Sequence, residues 1–257
     1  MDGSVNNFGE GDVVKVLQDK VAVVTGANAG IGLAIARAYR AEGARVFVVG
    51  RRREQLDEVE AELGSGVTGI RCDVGRLDDL DALYSTVAEK AGRIDVLVAN
   101  AGIGIVAPLG EITEEQFDAM FTTNVKGSLF TVQKALPLLS PGASIILTGS
   151  TAASRPESYL PVYGATKAAV RNLVRGFAHG AGEGRYRINV LSPGGTRTQG
   201  LLDLVPSDEL AAAAASVPLG RLAEPEEVAA AAVFLASDAS SYVNGSELAV
   251  DGGFAQV

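Results

Sequence analysis

Residues 149–167 read GSTAASRPESYLPVYGATK and place a serine, a tyrosine and a lysine where they could handle a proton together. Tyr163 and Lys167 are four apart, so a helix would set both on one face, and Pro161 suits that helix's first turn. An ammonium beside a phenol favours the phenolate. Free tyrosine titrates near ~10 and general acid/base work wants ~7, so Lys167 and its surroundings would supply about 4 kcal/mol. Ser150 follows the apolar run 144–148, which reads as a buried strand. Its hydroxyl then falls at a strand's C-terminal end, where open α/β sheets bind ligands. Spacing alone is weak evidence: chance gives one Tyr-x-x-x-Lys in about one in seven chains of this composition. The rest of the chain must decide between chemistry and an ordinary helix face.

The elements that would position these residues alternate in kind. Val/Ile/Leu-rich runs begin near residues 21, 45, 67, 95, 144 and 187, with helical patterns between them, and a last strand candidate spans 247–250. That alternation means βαβ units. The runs are continuously apolar, which suits parallel strands covered by helices on both faces. The expected fold is α/β, a doubly wound, mainly parallel sheet. Residues 1–18 lack periodicity and read as a loose N-terminal extension, with 19–257 as a single domain. Ala211 to Ala215 fit a helix within 200–217, and Pro225 with Glu226 and Glu227 opens another.

Composition narrows the function classes. The net charge of −9 argues against a polyanionic partner such as nucleic acid. No apolar run approaches the ~18 residues of a membrane span, and the acidic N-terminal segment lacks the pattern of a secretory signal, so a cytoplasmic protein is expected. Cys72 and His179 are each the only residue of their type. A single cysteine excludes an internal disulfide, one cysteine with one histidine cannot make a Cys/His zinc site, neither a Ser-His-Asp triad nor a GxSxG elbow is supported, and no metal is expected. Cys72 reads as a small core residue and His179 as a surface residue near a helix end.

The first strand runs into Thr25-Gly26-Ala27-Asn28-Ala29-Gly30-Ile31-Gly32, with an amphipathic helix after it. Glycines there let the backbone turn tightly and let a pyrophosphate approach a helix N-terminus. The candidate cofactor residues in this turn are Gly26, Asn28, Gly30, Ile31 and Gly32.

Taken with TGANAGIG, the Asp73-Val74 pair, Asn100-Ala101-Gly102, Asn124, Ser150, YGATK and SPGGTRT occur in an order that resembles the short-chain dehydrogenase/reductase family. The resemblance covers roughly residues 20–254 and implies a Rossmann fold with a seven-stranded sheet. It implies Tyr163 as proton donor or acceptor, Lys167 as the residue that lowers its pKa and holds the nicotinamide ribose, and Ser150 as orienting the substrate carbonyl. Asn124 resembles the asparagine that links the lysine to a water chain. Asp73 and Val74 would meet the adenine, Asn100, Ala101 and Gly102 would line the cofactor, and Pro193, Gly194, Thr196 and Thr198 complete the set. Ala99 and Thr196 depart from the family's common pattern, where Asn and Val or Ile are usual. The implied activity is hydride transfer between a nicotinamide dinucleotide and the carbonyl or alcohol of a small to medium substrate. Two other readings stay open: a nucleotide-sugar epimerase or dehydratase, and a dinucleotide-binding sensor or scaffold without catalysis.

Cofactor choice follows from charge at the end of the second strand. A carboxylate there would bind the ribose diol of NAD, whereas arginine would attract a 2′-phosphate. Gly50 is followed by Arg51, Arg52 and Arg53, so NADP(H) is favoured over NAD(H), the alternative being a solvated basic turn. Segments 103–109, 154–162 and 199–217 would frame the substrate pocket. Leu201, Leu202, Leu204 and Val205 suggest a hydrophobic ketone or alcohol or simply pack a lid helix, while Arg155, Glu157 and Arg197 leave a sugar or cyclitol open. The C-terminal segment from 219 resembles the family's tail and implies a homotetramer.

Overall fold

The computed structural model describes residues 15–181 and 185–256. Seven strands form one sheet in the order β3-β2-β1-β4-β5-β6-β7, and every neighbouring pair is parallel. They are β1 (Val21–Thr25), β2 (Arg45–Gly50), β3 (Val67–Arg71), β4 (Ile94–Ala99), β5 (Leu139–Thr148), β6 (Tyr186–Pro193) and β7 (Glu247–Val250). The helices are α1 (Gly30–Ala41), α2 (Arg53–Leu63), α3 (Leu77–Ala91), α4 (Glu114–Met120), α5 (Gly127–Ala135), α6 (Pro161–His179), α7 (Gln199–Leu204), α8 (Ser207–Ala215) and α9 (Pro225–Ala236).

Continuous apolar strands are required because both faces are covered. Successive side chains point to opposite faces. Ala22 and Val24 of β1 therefore join a core with Ile35 and Tyr39 of α1 and Val228 and Leu235 of α9. Val21 and Val23 join the other core, with Leu80 and Leu83 of α3 and Val170 and Val174 of α6. Each fully buried Val or Leu side chain contributes roughly 1.5–3 kcal/mol. The Tyr39 hydroxyl donates to the Ala232 carbonyl at 3.0 Å, fastening α1 to α9, and burial raises its pKa.

Chain order reverses between β1 and β4, which opens a crevice beyond their C-terminal ends. All the strands point that way, so each delivers the residues after it to one edge of the sheet.

Three boundaries differ from the sequence expectation. Residues 15–18 pack onto the body of the fold: Leu17 is fully buried and its N–H donates to Glu42 O at 3.1 Å. The rest of the 1–18 extension lies outside the described residues. Strand β5 begins at Leu139, five residues before the apolar run 144–148. The helical stretch 200–217 is divided into α7 and α8 by Val205, which is extended, because a residue preceding proline is driven out of the helical region. The starts at Pro161 and Pro225 agree with the sequence reading, and Glu224 and Glu227 form a reciprocal cap on α9.

Candidate active site

The crevice is a cleft of about 720 Å³ whose lining includes Gly26, Lys167, Leu210 and Phe254. Its floor at one end is the turn between β1 and α1. Gly26 and Gly30 adopt φ of +64° and +55°, in the left-handed region that favours glycine. A Cβ on Gly32 would lie 2.3 Å from the Gly26 carbonyl oxygen. Helix α1 has no side-chain cap and no acid in its first turn, so its N-terminal N–H groups and the positive end of its dipole face the cleft uncompensated. That donor set fits a pyrophosphate.

Asn100 holds the turn in place. Its N–H donates to Thr25 Oγ1 at 3.0 Å and its amide nitrogen to Thr25 O at 3.0 Å and Gly26 O at 3.3 Å, while its amide oxygen accepts from Thr148 Oγ1 at 3.1 Å. One side chain thus ties the ends of β1, β4 and β5. Ala99, where the family pattern has asparagine, is buried in the core.

Asn28, whose amide donates to Gln55 at 2.6 Å, lies against Gly50, where a Cβ would meet Asn28 Oδ1 at 2.6 Å. Arg51 and Arg52 line the cleft, and neither guanidinium has a hydrogen-bond or ion-pair partner among the described residues. Arg53 turns away and binds Asp57, Glu60 and the Gly69 carbonyl. Asp73 closes a tight turn by accepting from Gly75 N–H at 2.9 Å, and Val74 is buried against Gly127, whose missing Cβ would stand 2.7 Å from Val74 Cγ2. Pro193 ends β6, Gly194, Thr196 and Thr198 follow it along the cleft, and Thr198 Oγ1 accepts from Leu201 N–H to cap α7. Thr196 is buried, its hydroxyl spent on Gly194 O at 3.0 Å.

Ser150, Tyr163 and Lys167 meet between these walls. Ser150 caps a short turn, accepting from Ala152 N–H at 3.1 Å. Lys167 is 4% exposed, and its amine donates to Thr148 O at 2.8 Å and lies 5.6 Å from the centre of the Tyr163 ring. Burial pushes the Lys167 pKa down to about 8. Burial also raises the Tyr163 pKa, against a smaller lowering by the Ser150 hydroxyl. The direction is opposite to the sequence expectation of a lysine-lowered phenol: burial is the largest influence on Tyr163, and the Lys167 amine is directed at the Thr148 carbonyl. Asn124 is buried inside a π-helical turn, Phe121–Lys126, and stands behind the cleft. Its amide exchanges two hydrogen bonds with the Ile103 backbone, at 2.8 and 2.9 Å, and donates to Thr166 Oγ1 at 3.0 Å. A Cβ on Gly102 would lie 3.3 Å from Asn124 Oδ1 and 3.4 Å from Lys167 Nζ, so this glycine lets the groups approach.

A family model described as enoyl-(acyl carrier protein) reductase matches residues 26–255. The chain belongs to the short-chain dehydrogenase/reductase family. It is 46% identical to an oxidoreductase, asL5, of Sarocladium schorii over 95% of this chain and 99% of that one. It is 40% identical to a cis-4-hydroxycyclohexanecarboxylate dehydrogenase of Sinomonas cyclohexanicum, over 93% and 98% of the two chains. The crystal structure of a 3-ketoacyl-(acyl-carrier-protein) reductase from Brucella melitensis complexed with NADH superposes with a TM-score of 0.88 at 31% identity, covering 93% and 99%. This short-chain dehydrogenase/reductase is an oxidoreductase that uses an NAD(P)-type dinucleotide, and neither the epimerase or dehydratase reading nor the sensor reading is favoured by these likenesses.

Residues of all three segments expected to frame a substrate pocket line the cleft. Leu201, Leu204 and Val205 line the cleft, whereas Leu202 is not part of its wall. Arg155 and Glu157 also line it, but Arg197 pairs with Glu224 outside. Thr148 and Ile103 escaped the sequence reading because their backbone oxygens and N–H, rather than their side-chain types, engage Lys167 and Asn124. Cys72 is buried as expected, its thiol pushed up to about 12 by burial and by Asp79 and Asp73. His179 ends α6 on the surface.

Proposed function

We propose that the protein transfers a hydride between NADP(H) and the carbonyl or alcohol of a small to medium, largely apolar substrate, with Tyr163 as proton donor and acceptor. The supporting observation is the meeting of Ser150, Tyr163 and Lys167 with the glycine turn in one cleft. The dinucleotide supplies or accepts the hydride when bound. Gly26, Gly30, Ile31 and Gly32 would seat its pyrophosphate, Asp73 and Val74 its adenine, and Asn100, Ala101, Gly102, Pro193, Gly194, Thr196 and Thr198 its remaining length. Arg51 would meet a 2′-phosphate, a reading supported by its position in the cleft without a carboxylate partner among the described residues.

During reduction, Ser150 and Tyr163 hydrogen-bond the carbonyl oxygen and Tyr163 gives up its proton as charge develops there. The raised pKa keeps Tyr163 protonated at neutral pH, ready for that direction. Lys167, fixed by Thr148 O, holds the sugar next to the reacting carbon, and Asn124 fixes the backbone at Ile103 beside it. Oxidation reverses these roles.

We also propose a homotetramer. Tyr242, Leu219 and Phe234 are exposed near the C-terminal segment, which supports a subunit contact there.

The test is a panel of ketones and alcohols assayed with NADPH and NADH, with Tyr163→Phe as control. Retention of full activity by that variant would falsify the assignment of Tyr163.

A further inference from the structure

The C-terminal turn reaches back into the cleft. The Asp251 carboxylate accepts from Gly253 N–H and Ala255 N–H, both at 2.9 Å, and the Asp251 carbonyl accepts from Phe254 N–H at 3.1 Å. Gly252 and Gly253 adopt φ of +61° and +91°, and a Cβ on Gly252 would stand 2.7 Å from Val217 Cγ1. The turn therefore packs directly on the residues that end the α7–α8 segment. It also abuts the loop after β6, where a Cβ on Gly194 would lie 2.9 Å from the Asp251 Cα.

This rigid turn presents Phe254 to the cleft, where Arg155 grips it twice. The guanidinium lies over the ring with its central carbon 4.1 Å from the centroid, and its Nη1 donates to the Phe254 carbonyl at 2.5 Å. The Arg155 guanidinium has no carboxylate partner among the described residues, and its hydrogen bond and its stacking contact are both with Phe254. The loop that carries Arg155 is itself braced, because Arg171 donates to Ser154 Oγ at 2.6 Å and lies 3.6 Å from Glu247, which accepts from Ser192 at 2.7 Å. Arg155 is exposed to solvent, yet its guanidinium is held against the ring and carbonyl of Phe254 at the lining of the cleft.

We propose that Phe254 is a specificity-determining residue, the end wall of the substrate cleft, and that Arg155 is the positioning residue that latches it. The inference rests on the oxidoreductase reading of the cleft. Held in place, the ring limits the length of carbonyl substrate that fits. Released, it lengthens the cleft.

The test has two arms on the full chain. In the first, hydrogen exchange of residues 251–256 is followed by mass spectrometry in wild type, Arg155→Ala and Arg155→Lys. Loss of the latch predicts exchange about tenfold faster in Arg155→Ala, the effect of losing one charge-assisted hydrogen bond, with Arg155→Lys between the two. Unchanged exchange in Arg155→Ala overturns the latch. In the second, kcat and KM are measured with NADPH for cyclohexanone and for the bulkier 2-decalone in wild type, Phe254→Ala and Phe254→Leu, with the cofactor Kd and thermal midpoint alongside. The ratio of kcat/KM for the large to the small ketone is expected to rise about tenfold in Phe254→Ala, less in Phe254→Leu, mainly through KM. A ratio that stays put while cofactor affinity is intact overturns the wall, since a purely structural role would move both ketones together. Should wild type reduce no carbonyl in a broad panel, the oxidoreductase proposal fails and the selection role of Phe254 with it, while the exchange arm still decides the latch.

Discussion

The amine of Lys167 donates to the carbonyl oxygen of Thr148 at 2.8 Å and stands beside the Tyr163 ring, 5.6 Å from its centre. A buried cation is therefore anchored to the last residue of β5 and positioned alongside the phenol. The arrangement has a stability cost that can be measured.

Burial lowers the Lys167 pKa from 10.5 to about 8. The unfolded chain then binds more protons than the folded one between those values, so this residue destabilises the fold fully below pH 8 and ceases to do so above 10.5. Lys167→Met is expected to lose activity yet gain up to about 3 kcal/mol at pH 7 relative to its value at pH 10.5. Urea unfolding at the two pH values checks this, and a pH-independent difference between the proteins would refute it.

Because burial raises the Tyr163 pKa, alcohol oxidation, which needs a proton acceptor, is expected to climb with pH on the alkaline side of neutrality. Ketone reduction should fall over the same interval. Tyr163→Phe is expected to cost about 10²- to 10⁴-fold in kcat and to flatten both profiles. An oxidation profile that levels off on the acid side of neutral would contradict the dominance of desolvation.

Arg51→Ala should raise the KM for NADPH about tenfold and leave NADH within about threefold, because only the phosphate loses a charge partner. Raising ionic strength should weaken NADPH binding more in wild type than in the variant. Equal losses for the two cofactors in steady-state assays would remove the basis for favouring NADP(H).

Two glycines give opposite expectations. Gly32→Ala forces a Cβ to within 2.3 Å of Gly26 O and 2.6 Å of Asn100 Nδ2, and should destabilise by about 1–3 kcal/mol and weaken dinucleotide binding. Gly176, inside α6, has nothing within 4 Å of its would-be Cβ, so Gly176→Ala should stabilise by about 0.5–1 kcal/mol through helix propensity. Thermal denaturation with and without cofactor reads both.

Tyr242 is wholly exposed and Leu219 68% exposed. If they lie in a subunit contact, Tyr242→Glu should shift elution toward a smaller species in size-exclusion chromatography with light scattering. Unchanged mass would remove Tyr242 from the interface.

Strands and helix starts were legible in the sequence because both signals are local. Continuous apolar runs mark strands covered twice, and Pro161 and Pro225 mark first turns. Side-chain types and spacing likewise marked Ser150, Tyr163 and Lys167. What escaped depended on distant backbone and on burial: the Thr148 carbonyl under Lys167, the desolvation that raises Tyr163, and Arg197 turning to Glu224. Leu17 escaped because one buried leucine beside glycine-rich sequence carries no periodicity, although it fills the bottom of the α1 core. The division of the 200–217 stretch was legible in principle, since Val205 precedes a proline.

Asn100 has a meaning for folding as well as for binding. Its amide reaches Thr25 O, Gly26 O and Thr148 Oγ1, three groups brought to one height only when β1, β4 and β5 are aligned correctly. A slip of one residue moves a strand by about 3.3 Å and would leave a half-buried amide without these partners. The same side chain that steadies the glycine turn therefore acts as a gauge of alignment, penalising misregistered sheets before any ligand arrives.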